Sequence, residues 1–199
     1  MDIGVLGGTF DPPHLGHLIL AAEAVHQLKL SKVLFVVTPS PPHKQGWIIS
    51  SIADRLKMVE MAIELNNDFQ ISSVDIDRLP PHYAVDSMHI LHQQYPNDRL
   101  FYLMGADSLR DLPTWHLAQE FVSSCDGIGV MQRSLDDLEM QELEMKLPGL
   151  QTKIIWLTAP RFDISSREIR ERVRNQAPFR YFVTEKVYRY IIEKKLYRD

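Results

Sequence analysis

The sequence predicts a doubly wound α/β fold, in which helices cover both faces of one parallel sheet. Six short runs rich in Val, Ile and Leu recur along the chain, and segments of helical period separate them. Short buried strands that alternate with helices are typical of crossover units. The 199 residues, 45% of them apolar, suffice for one buried core. We therefore expect a single domain over residues 1–199, with a helical C-terminal segment from about residue 165.

The six apolar runs are the predicted strands, at residues 3–6, 33–37, 70–74, 100–104, 127–131 and 153–157. Right-handed crossovers between them give a Rossmann-like sandwich, whose ligand site lies beyond the carboxyl ends of the strands. Trp156 lies inside the sixth run, so we expect it in the core, whereas Trp115 follows Pro113 in a loop. Unusual chemistry marks the loops after the first, second and fourth runs, which we expect at one rim of the sheet: 7–17, 38–50 and 105–116.

Composition narrows the classes of partner. A formal net charge of -4 argues against a nucleic-acid partner, which usually requires a broad basic surface. No apolar run has the length of a membrane span, and residues 2–6 lack the pattern of a signal peptide. The single cysteine, Cys125, is expected to be a packed thiol. We therefore expect a cytoplasmic protein without nucleic-acid or membrane partners, and the sequence leaves its oligomeric state open.

The loop after the first strand reads Gly-Gly-Thr-Phe-Asp-Pro-Pro-His-Leu-Gly-His over residues 7–17. Its two leading glycines permit positive φ and close backbone approach, so their amides can point at phosphate. The sequence is neither the dinucleotide fingerprint nor a P-loop, which disfavours hydride transfer and P-loop kinase chemistry. The histidines present no recognisable zinc-ligand spacing, which disfavours a zinc site. A lone His-x-x-His would usually be a pair of surface residues, but here it stands in a loop with two glycines and two prolines.

The two histidines of this loop are expected to act together. Pro12 and Pro13 suit the start of a helix, which would place His14 and His17 on one face of its first turns. Both imidazoles would then meet a ligand at the helix N-terminus. Gly16 between them has no side chain, which would allow a flat base or ribose to lie against the helix.

Three other elements allow both a functional and a structural interpretation. Lys44 ends a Pro-rich loop and could contact phosphate or remain a solvated lysine. Asp107 could accept hydrogen bonds from ribose hydroxyls or cap the helix that begins there. Ser165 and Ser166 precede a helix, where a serine cap would leave amides that favour a triphosphate, with Arg170 as a fixed charge.

Residues 7–17 resemble the signature of bacterial nicotinate-nucleotide adenylyltransferases, which belong to the His-x-Gly-His nucleotidyltransferase superfamily. Other segments resemble the same family, and they follow its order over most of the chain: 39–44, 105–108, 112–116 and 164–170. The His-x-Gly-His element marks only the superfamily, whereas Leu-Pro-x-Trp-His at residues 112–116 is more specific to the family.

This resemblance implies adenylyl transfer from ATP to nicotinate mononucleotide, which gives nicotinate adenine dinucleotide and pyrophosphate for NAD biosynthesis. It implies His14 and His17 as catalytic residues and Mg²⁺ held mainly by ATP phosphates, without protein ligands to the metal. The implied ATP-binding residues are Gly7, Gly8, Thr9, Phe10, His14, His17, Gly105, Asp107, Ile164, Ser165, Ser166 and Arg170. The implied mononucleotide-binding residues are Thr9, Lys44, Tyr83, Ala84, Asp107, Trp115, on which a pyridine ring could stack, and Arg133.

The sequence departs from the family pattern at three places. Ala84 stands where the family usually has Thr, Arg167 stands at a position that is commonly Thr, and Ser134-Leu135 replaces the usual Pro-Gly after Arg133.

One alternative is a sister enzyme that uses CTP, or that accepts phosphopantetheine or nicotinamide mononucleotide; Trp115 in its motif argues against this. Another is a noncatalytic nucleotide-binding module, against which the intact histidine and serine motifs argue.

Overall fold

A computed structural model describes residues 1–40, 49–131, 137–160 and 163–198. Its centre is a six-stranded sheet of order β3-β2-β1-β4-β5-β6, in which all neighbouring strands are parallel. The connections run outward from β1 to one edge and then from β4 to the other, as in a doubly wound sheet. The predicted fold class is therefore confirmed. The strands are β1 (Asp2–Gly8), β2 (Lys32–Val37), β3 (Phe69–Ser72), β4 (Arg99–Gly105), β5 (Gly127–Met131) and β6 (Ile154–Leu157).

Helices cover both faces of this sheet. Within the described residues they are α1 (Leu15–Leu28), α2 (Ile52–Ile63), α3 (Ala84–Gln94), α4 (Ala106–Asp111), α5 (Ala118–Ser124), α6 (Asp137–Lys146), α7 (Leu150–Lys153), α8 (Ser166–Arg174) and α9 (Glu185–Glu193). None of these helices combines the length and apolar character that a membrane crossing requires. The cytoplasmic location stays a prediction.

Two apolar cores lie on opposite faces of the sheet because side chains alternate along each strand. On β1, Ile3 and Val5 belong to the core that includes Met88 from α3, and Leu6 belongs to the core that includes Leu20 from α1. The burial of β1 on both faces explains its continuous apolar sequence.

A third core attaches the C-terminal helices to α2. Met58 of α2 packs in one cluster with Ile169 of α8 and with Val187 and Ile191 of α9. Thr184 caps α9 by accepting a hydrogen bond from the amide of Val187. The segment after residue 165, where helices were expected, therefore contains α8 and α9, which share a core separate from those against the sheet.

Trp156 contradicts the expectation that it is a core residue. Its strand, β6, is the last in the sheet, and both Ile155 and Trp156 are exposed, Trp156 by 38%. Successive residues point to opposite faces, so neither face of β6 is fully covered at these positions. An apolar run predicts a strand but does not reveal its place at the sheet edge.

Cys125 is a packed thiol, as expected. It is buried beside α5, and burial raises its pKa to about 12. A thiol with such a pKa remains protonated at neutral pH and is a poor nucleophile.

Candidate active site

A cavity of about 790 Å³ opens at the carboxyl ends of the central strands. Loops after β1, β2 and β4 reach it, as the sequence predicts, and so do the N-termini of α1, α3 and α8. The predicted site residues that line it are Gly7, Gly8, Thr9, His14, His17, Tyr83, Ala84, Gly105, Asp107, Trp115, Ile164, Ser165, Ser166 and Arg170. Lys44 and Arg133 lie outside the described residues.

Close packing explains the two glycines at the end of β1. A Cβ on Gly7 would lie 2.4 Å from the hydroxyl oxygen of Tyr102, and one on Gly8 would lie 3.1 Å from the ring of Phe10. The expected positive φ falls on Phe10 instead, at 49°. Burial raises the pKa of the Tyr102 hydroxyl, which therefore stays protonated beneath the loop.

Phe10 differs from the other predicted ATP-binding residues because its side chain does not line the cavity. Its ring is buried and packs edge-on against His17, with 5.0 Å between the ring centroids, and against Phe35 at 5.7 Å. A contact with ATP would therefore have to come from its main chain. The ring itself supports His17 from below.

His14 and His17 lie together at the N-terminus of α1. Their rings stack with centroids 3.7 Å apart, and the amide of His14, which is the N-cap residue, donates to Nδ1 of His17 at 3.1 Å. Because Nδ1 of His17 accepts this bond, its neutral ring carries the proton on Nε2. Gly16 makes room for the His14 ring, since a Cβ there would lie 3.0 Å from Nδ1 of His14.

The N-terminus of α8 is fixed against the loop between β1 and α1, residues 9–14, which is called the histidine loop below. Ser165 caps the helix by accepting from the amide of Glu168 at 3.1 Å, so the expected serine cap is confirmed. Ser166 Oγ donates to the carbonyl of Pro12 at 2.8 Å, and Arg170 donates to the carbonyl of Asp11 at 2.7 Å. These bonds hold the N-terminal part of α8 against the histidine loop, where both line the cavity.

Asp107 does not cap α4. Gly105 occupies the N-cap position without a side-chain bond, and Asp107 is the second residue of the helix. Its largely exposed carboxylate pairs with Arg110 at 3.1 Å and lines the cavity. Of the two interpretations of Asp107, the structural one is wrong.

Aromatic residues form the part of the cavity near α3. Tyr83, the N-cap of α3, stacks on His116 with centroids 3.9 Å apart. Trp115 is half-buried and packs against Tyr102 and Phe121, at centroid distances of 6.0 and 5.2 Å. Trp115 therefore packs against the core and also lines the cavity. Its position in a loop does not show whether a tryptophan packs in the core or contacts a ligand.

Asp75 is a cavity residue that the sequence analysis missed. It is buried after β3 and accepts hydrogen bonds from Ser87 Oγ at 2.6 Å, Thr38 Oγ1 at 3.1 Å and Arg78 at 3.0 Å. Arg78 also donates to the carbonyl of Tyr83 at 3.0 Å, which fixes the start of α3. The available signal was a carboxylate shortly after a predicted strand.

The described residues contain no group of three or more His, Cys, Asp and Glu side chains that could hold a metal ion. The cavity instead combines imidazole rings, the N-termini of α1, α3, α4 and α8 and the guanidinium of Arg170. Helix N-termini and cations are the groups that bind phosphate. The geometry therefore suits a nucleotide whose phosphates lie between α1 and α8.

Comparisons with known proteins identify the family to which this chain belongs. The sequence model of the cytidylyltransferase-like family matches residues 5–172. A probable nicotinate-nucleotide adenylyltransferase of Desulfitobacterium hafniense (strain Y51) is 40% identical over 197 residues, covering 98% of this chain and 95% of that protein. The nicotinate-nucleotide adenylyltransferase of Bacillus subtilis (strain 168) is 36% identical over 201 residues, covering 99% and 98%. The chain therefore belongs to the nicotinate-nucleotide adenylyltransferases within the cytidylyltransferase-like family.

Solved structures support the fold. Plasmodium falciparum nicotinic acid mononucleotide adenylyltransferase complexed with NaAD matches with a TM-score of 0.80 at 17% identity, covering 98% of this chain and 97% of that chain. The same protein complexed with APC matches with a TM-score of 0.77, also at 17% identity, covering 98% and 96%. At this identity the likeness extends to the fold alone.

Proposed function

We propose that this protein transfers the adenylyl group of ATP to nicotinate mononucleotide. A phosphate oxygen of the mononucleotide forms a bond to the α-phosphorus of ATP, and the bond from that phosphorus to pyrophosphate breaks. The products are nicotinate adenine dinucleotide and pyrophosphate. The named relatives, similar over almost their whole length, support this substrate pair.

The observation that carries the proposal is the position of two helix N-termini at one cavity. The stacked His14 and His17 lie at the start of α1. The Ser165 cap lies at the start of α8, and Arg170 lies one turn further along that helix. The bonds from Ser166 to Pro12 and from Arg170 to Asp11 hold these two ends together. Such an arrangement can surround a triphosphate with donors and positive charge.

The reaction requires placement and charge stabilisation more than proton removal. A phosphate monoester has a second pKa of roughly 6, so at neutral pH it is already largely dianionic and can attack without a strong base. The Nε2–H of His17 would donate to a phosphate oxygen, and Arg170 would stabilise negative charge on the leaving pyrophosphate. Lys44 and Arg133 remain candidate phosphate contacts from the sequence.

We further propose that Mg²⁺ enters with ATP. Magnesium binds oxygen ligands and keeps several waters, so triphosphate oxygens can supply most of its coordination. When bound, it would neutralise part of the negative charge on the leaving group. Removal of Mg²⁺ with EDTA should abolish turnover, and excess Mg²⁺ should restore it.

The mononucleotide would occupy the part of the cavity near α3 and α4. Asp107 can accept hydrogen bonds from ribose hydroxyls, and the exposed part of Trp115 offers a surface for a pyridine ring. Ala84 begins α3, and the amides of a first turn have no carbonyl partner within the helix. These amides suit the carboxylate of nicotinate.

The test is to incubate the protein with ATP and Mg²⁺ and one acceptor at a time: nicotinate mononucleotide, nicotinamide mononucleotide or phosphopantetheine. Products are identified by mass and pyrophosphate is measured in parallel. We expect nicotinate adenine dinucleotide and pyrophosphate in equal amounts. A different preferred acceptor would identify a sister enzyme, and ATP binding without any product would identify a noncatalytic nucleotide-binding module.

A further inference from the structure

Arg55 is a buried charged residue next to the cavity but outside its lining. It lies on α2 and is only 1% exposed. Within the described residues, its guanidinium donates four hydrogen bonds, all to main-chain carbonyls. The acceptors are Thr9 at 2.9 Å, Thr38 at 2.7 Å, Pro39 at 2.7 Å and Ser50 at 3.1 Å.

These carbonyls belong to the two loops that follow β1 and β2. Thr9 lies in the histidine loop, whereas Thr38 and Pro39 begin the connection from β2 to α2 and Ser50 lies at its end. The side chain of Arg55 therefore joins the segments that follow two neighbouring strands, β1 and β2. A planar guanidinium with five N–H groups can bind several carbonyls at once, which a lysine ammonium cannot reproduce.

Burying this charge requires compensation. Burial lowers the pKa of the Arg55 guanidinium, and the negative charge of Asp11 acts in the opposite direction. A buried cation is tolerated when its hydrogen bonds are satisfied and an opposite charge lies nearby. The four carbonyls and Asp11 meet both conditions, so the buried charge of Arg55 is compensated.

Asp11 extends this network to the C-terminal part of the chain. Its carboxylate is 2% exposed and accepts from Tyr197 Oη at 2.7 Å and from the amide of Ser50 at 3.3 Å. Its carbonyl accepts from Arg170 at 2.7 Å. The histidine loop is thus held on one side by Arg55 and on the other by Arg170.

We propose that Arg55 is a positioning residue for adenylyl transfer, which fixes the histidine loop relative to Thr38 and Pro39 just after β2. This inference rests on the proposed function. Arg55 acts through the main chain at Thr9 and Thr38, both of which line the cavity, and it does not touch substrate. In-line attack depends on geometry, and a misplacement of about 1 Å can cost about 100-fold in rate.

Two substitutions at Arg55 test this. Arg55→Lys keeps the charge but loses most of the four bonds, and Arg55→Met removes the charge at similar volume. We expect kcat to fall roughly 10- to 100-fold for Arg55→Lys and further for Arg55→Met, on the scale of a misplaced reacting group. KM for ATP and for the mononucleotide should change much less than kcat.

The matched control is Ile63→Ala, a buried apolar position on the same helix, two turns beyond Arg55. It should lower Tm as Arg55→Lys does while its kcat stays near that of the wild type. All assays are run well below the lowest Tm. A loss of kcat in Ile63→Ala equal to that in Arg55→Lys would show that destabilisation alone explains the effect, and would overturn the proposal.

Tyr197→Phe keeps the test decisive if the Arg55 variants do not fold. It removes one donor to Asp11 but leaves the amide of Ser50 and the charge of Arg55 in place. We expect Tyr197→Phe to have a circular dichroism spectrum like that of the wild type and a several-fold lower kcat. Unchanged kcat in folded Arg55→Lys would overturn only the positioning role, and so would unchanged kcat in folded Tyr197→Phe if the Arg55 variants do not fold. A wild type that makes no dinucleotide would overturn the proposed function and this inference together.

Discussion

The stacked imidazoles of His14 and His17 show how a short motif determines a local geometry. The amide of His14 donates to Nδ1 of His17, which fixes the tautomer and leaves Nε2–H as a donor. The buried ring of Phe10 packs against His17 and limits its rotation. A donor that is already oriented needs no reorganisation when charge develops on a phosphate oxygen.

Replacing His17 with alanine should lower kcat by about two orders of magnitude or more, the range observed for loss of one preorganised donor. The helix should remain, because the lost cap bond costs only about 1 kcal/mol. His26→Ala, the same change at an exposed position in the last turn of α1, is the control and should behave as the wild type. Steady-state kinetics and circular dichroism measure both effects; near-normal turnover of folded His17→Ala would remove this residue from the mechanism.

Residues within continuous motifs were predictable, and residues that act through distant partners were not. His14, His17, Ser165 and the cap that Ser165 provides follow from local spacing and turn chemistry. Arg55, Asp75 and Tyr197 gave no comparable signal: Tyr197 meets Asp11 across 186 positions, and Arg55 binds Thr9 across 46. Such pairs depend on how the elements pack, which one sequence does not specify.

Under the proposed function, the N-termini of α8 and α3 would bind different substrates. The start of α8 faces the proposed phosphate region with Ser166 and Arg170, and the start of α3 faces the aromatic region with Tyr83 and Ala84. Each offers amides with no carbonyl partner within the helix and the positive end of a helix dipole. Changes at the two ends should therefore affect different substrates.

Arg170→Ala should raise the KM for ATP more than the KM for the mononucleotide. It removes a charge beside the proposed triphosphate and also the bond to the carbonyl of Asp11. Initial rates with each substrate varied in turn give the two values. Arg174→Ala, one turn further along α8 and outside the cavity lining, is the control. Equal increases in both KM values would indicate loss of packing rather than of a triphosphate contact.

The start of α3 should distinguish nicotinate from nicotinamide mononucleotide without the family's usual hydroxyl at position 84. Main-chain amides match the two acceptor oxygens of a carboxylate but mismatch the NH₂ of an amide. We therefore expect a clear preference for the acid in the wild type, measured as the ratio of kcat/KM for the two acceptors. Ala84→Thr should change this ratio little. A ratio near one in the wild type, or a large gain in Ala84→Thr, would show that the backbone is not the main determinant.

The elements themselves were largely visible in the sequence. All six strands lie at or close to the predicted runs, because buried parallel strands are short and continuously apolar. The expected helical C-terminal segment contains α8 and α9. The position of each element in the fold was harder to predict: Trp156 was assigned to the core, yet its strand is at the edge of the sheet.

The whole molecule contains two sheet cores and a third core that carries the C-terminal helices. Ile169 and Val173 of α8 pack in this third core with Val187 and Ile191 of α9, against Met58 of α2. The helix that presents Arg170 to the cavity thus depends on packing some distance from the sheet. Tyr190 adds a polar link, because its hydroxyl donates to Asp54 of α2 at 2.8 Å.

Two adjacent isoleucines of α9 allow a matched test of this third core. Ile191 is 0% exposed and Ile192 is 39% exposed, so the same substitution samples the core and the surface at neighbouring positions. Ile191→Ala should lower the free energy of unfolding by about 2–5 kcal/mol, since it removes buried methyl and methylene groups and leaves a cavity. Ile192→Ala should change it by less than about 1 kcal/mol. Urea denaturation at pH 7 measures both.

The same pair tests whether the third core supports the site. If the packing of α9 holds α8 in place, Ile191→Ala should raise the KM for ATP at temperatures where the variant is still folded, and Ile192→Ala should not. The KM for the mononucleotide should change less in both, because α3 packs in a different core. Equal loss of stability in the two variants would contradict the assignment of Ile191 to a core. If Ile191→Ala is destabilised but its KM for ATP is unchanged, α8 is held in place by its bonds to Pro12 and Asp11 alone.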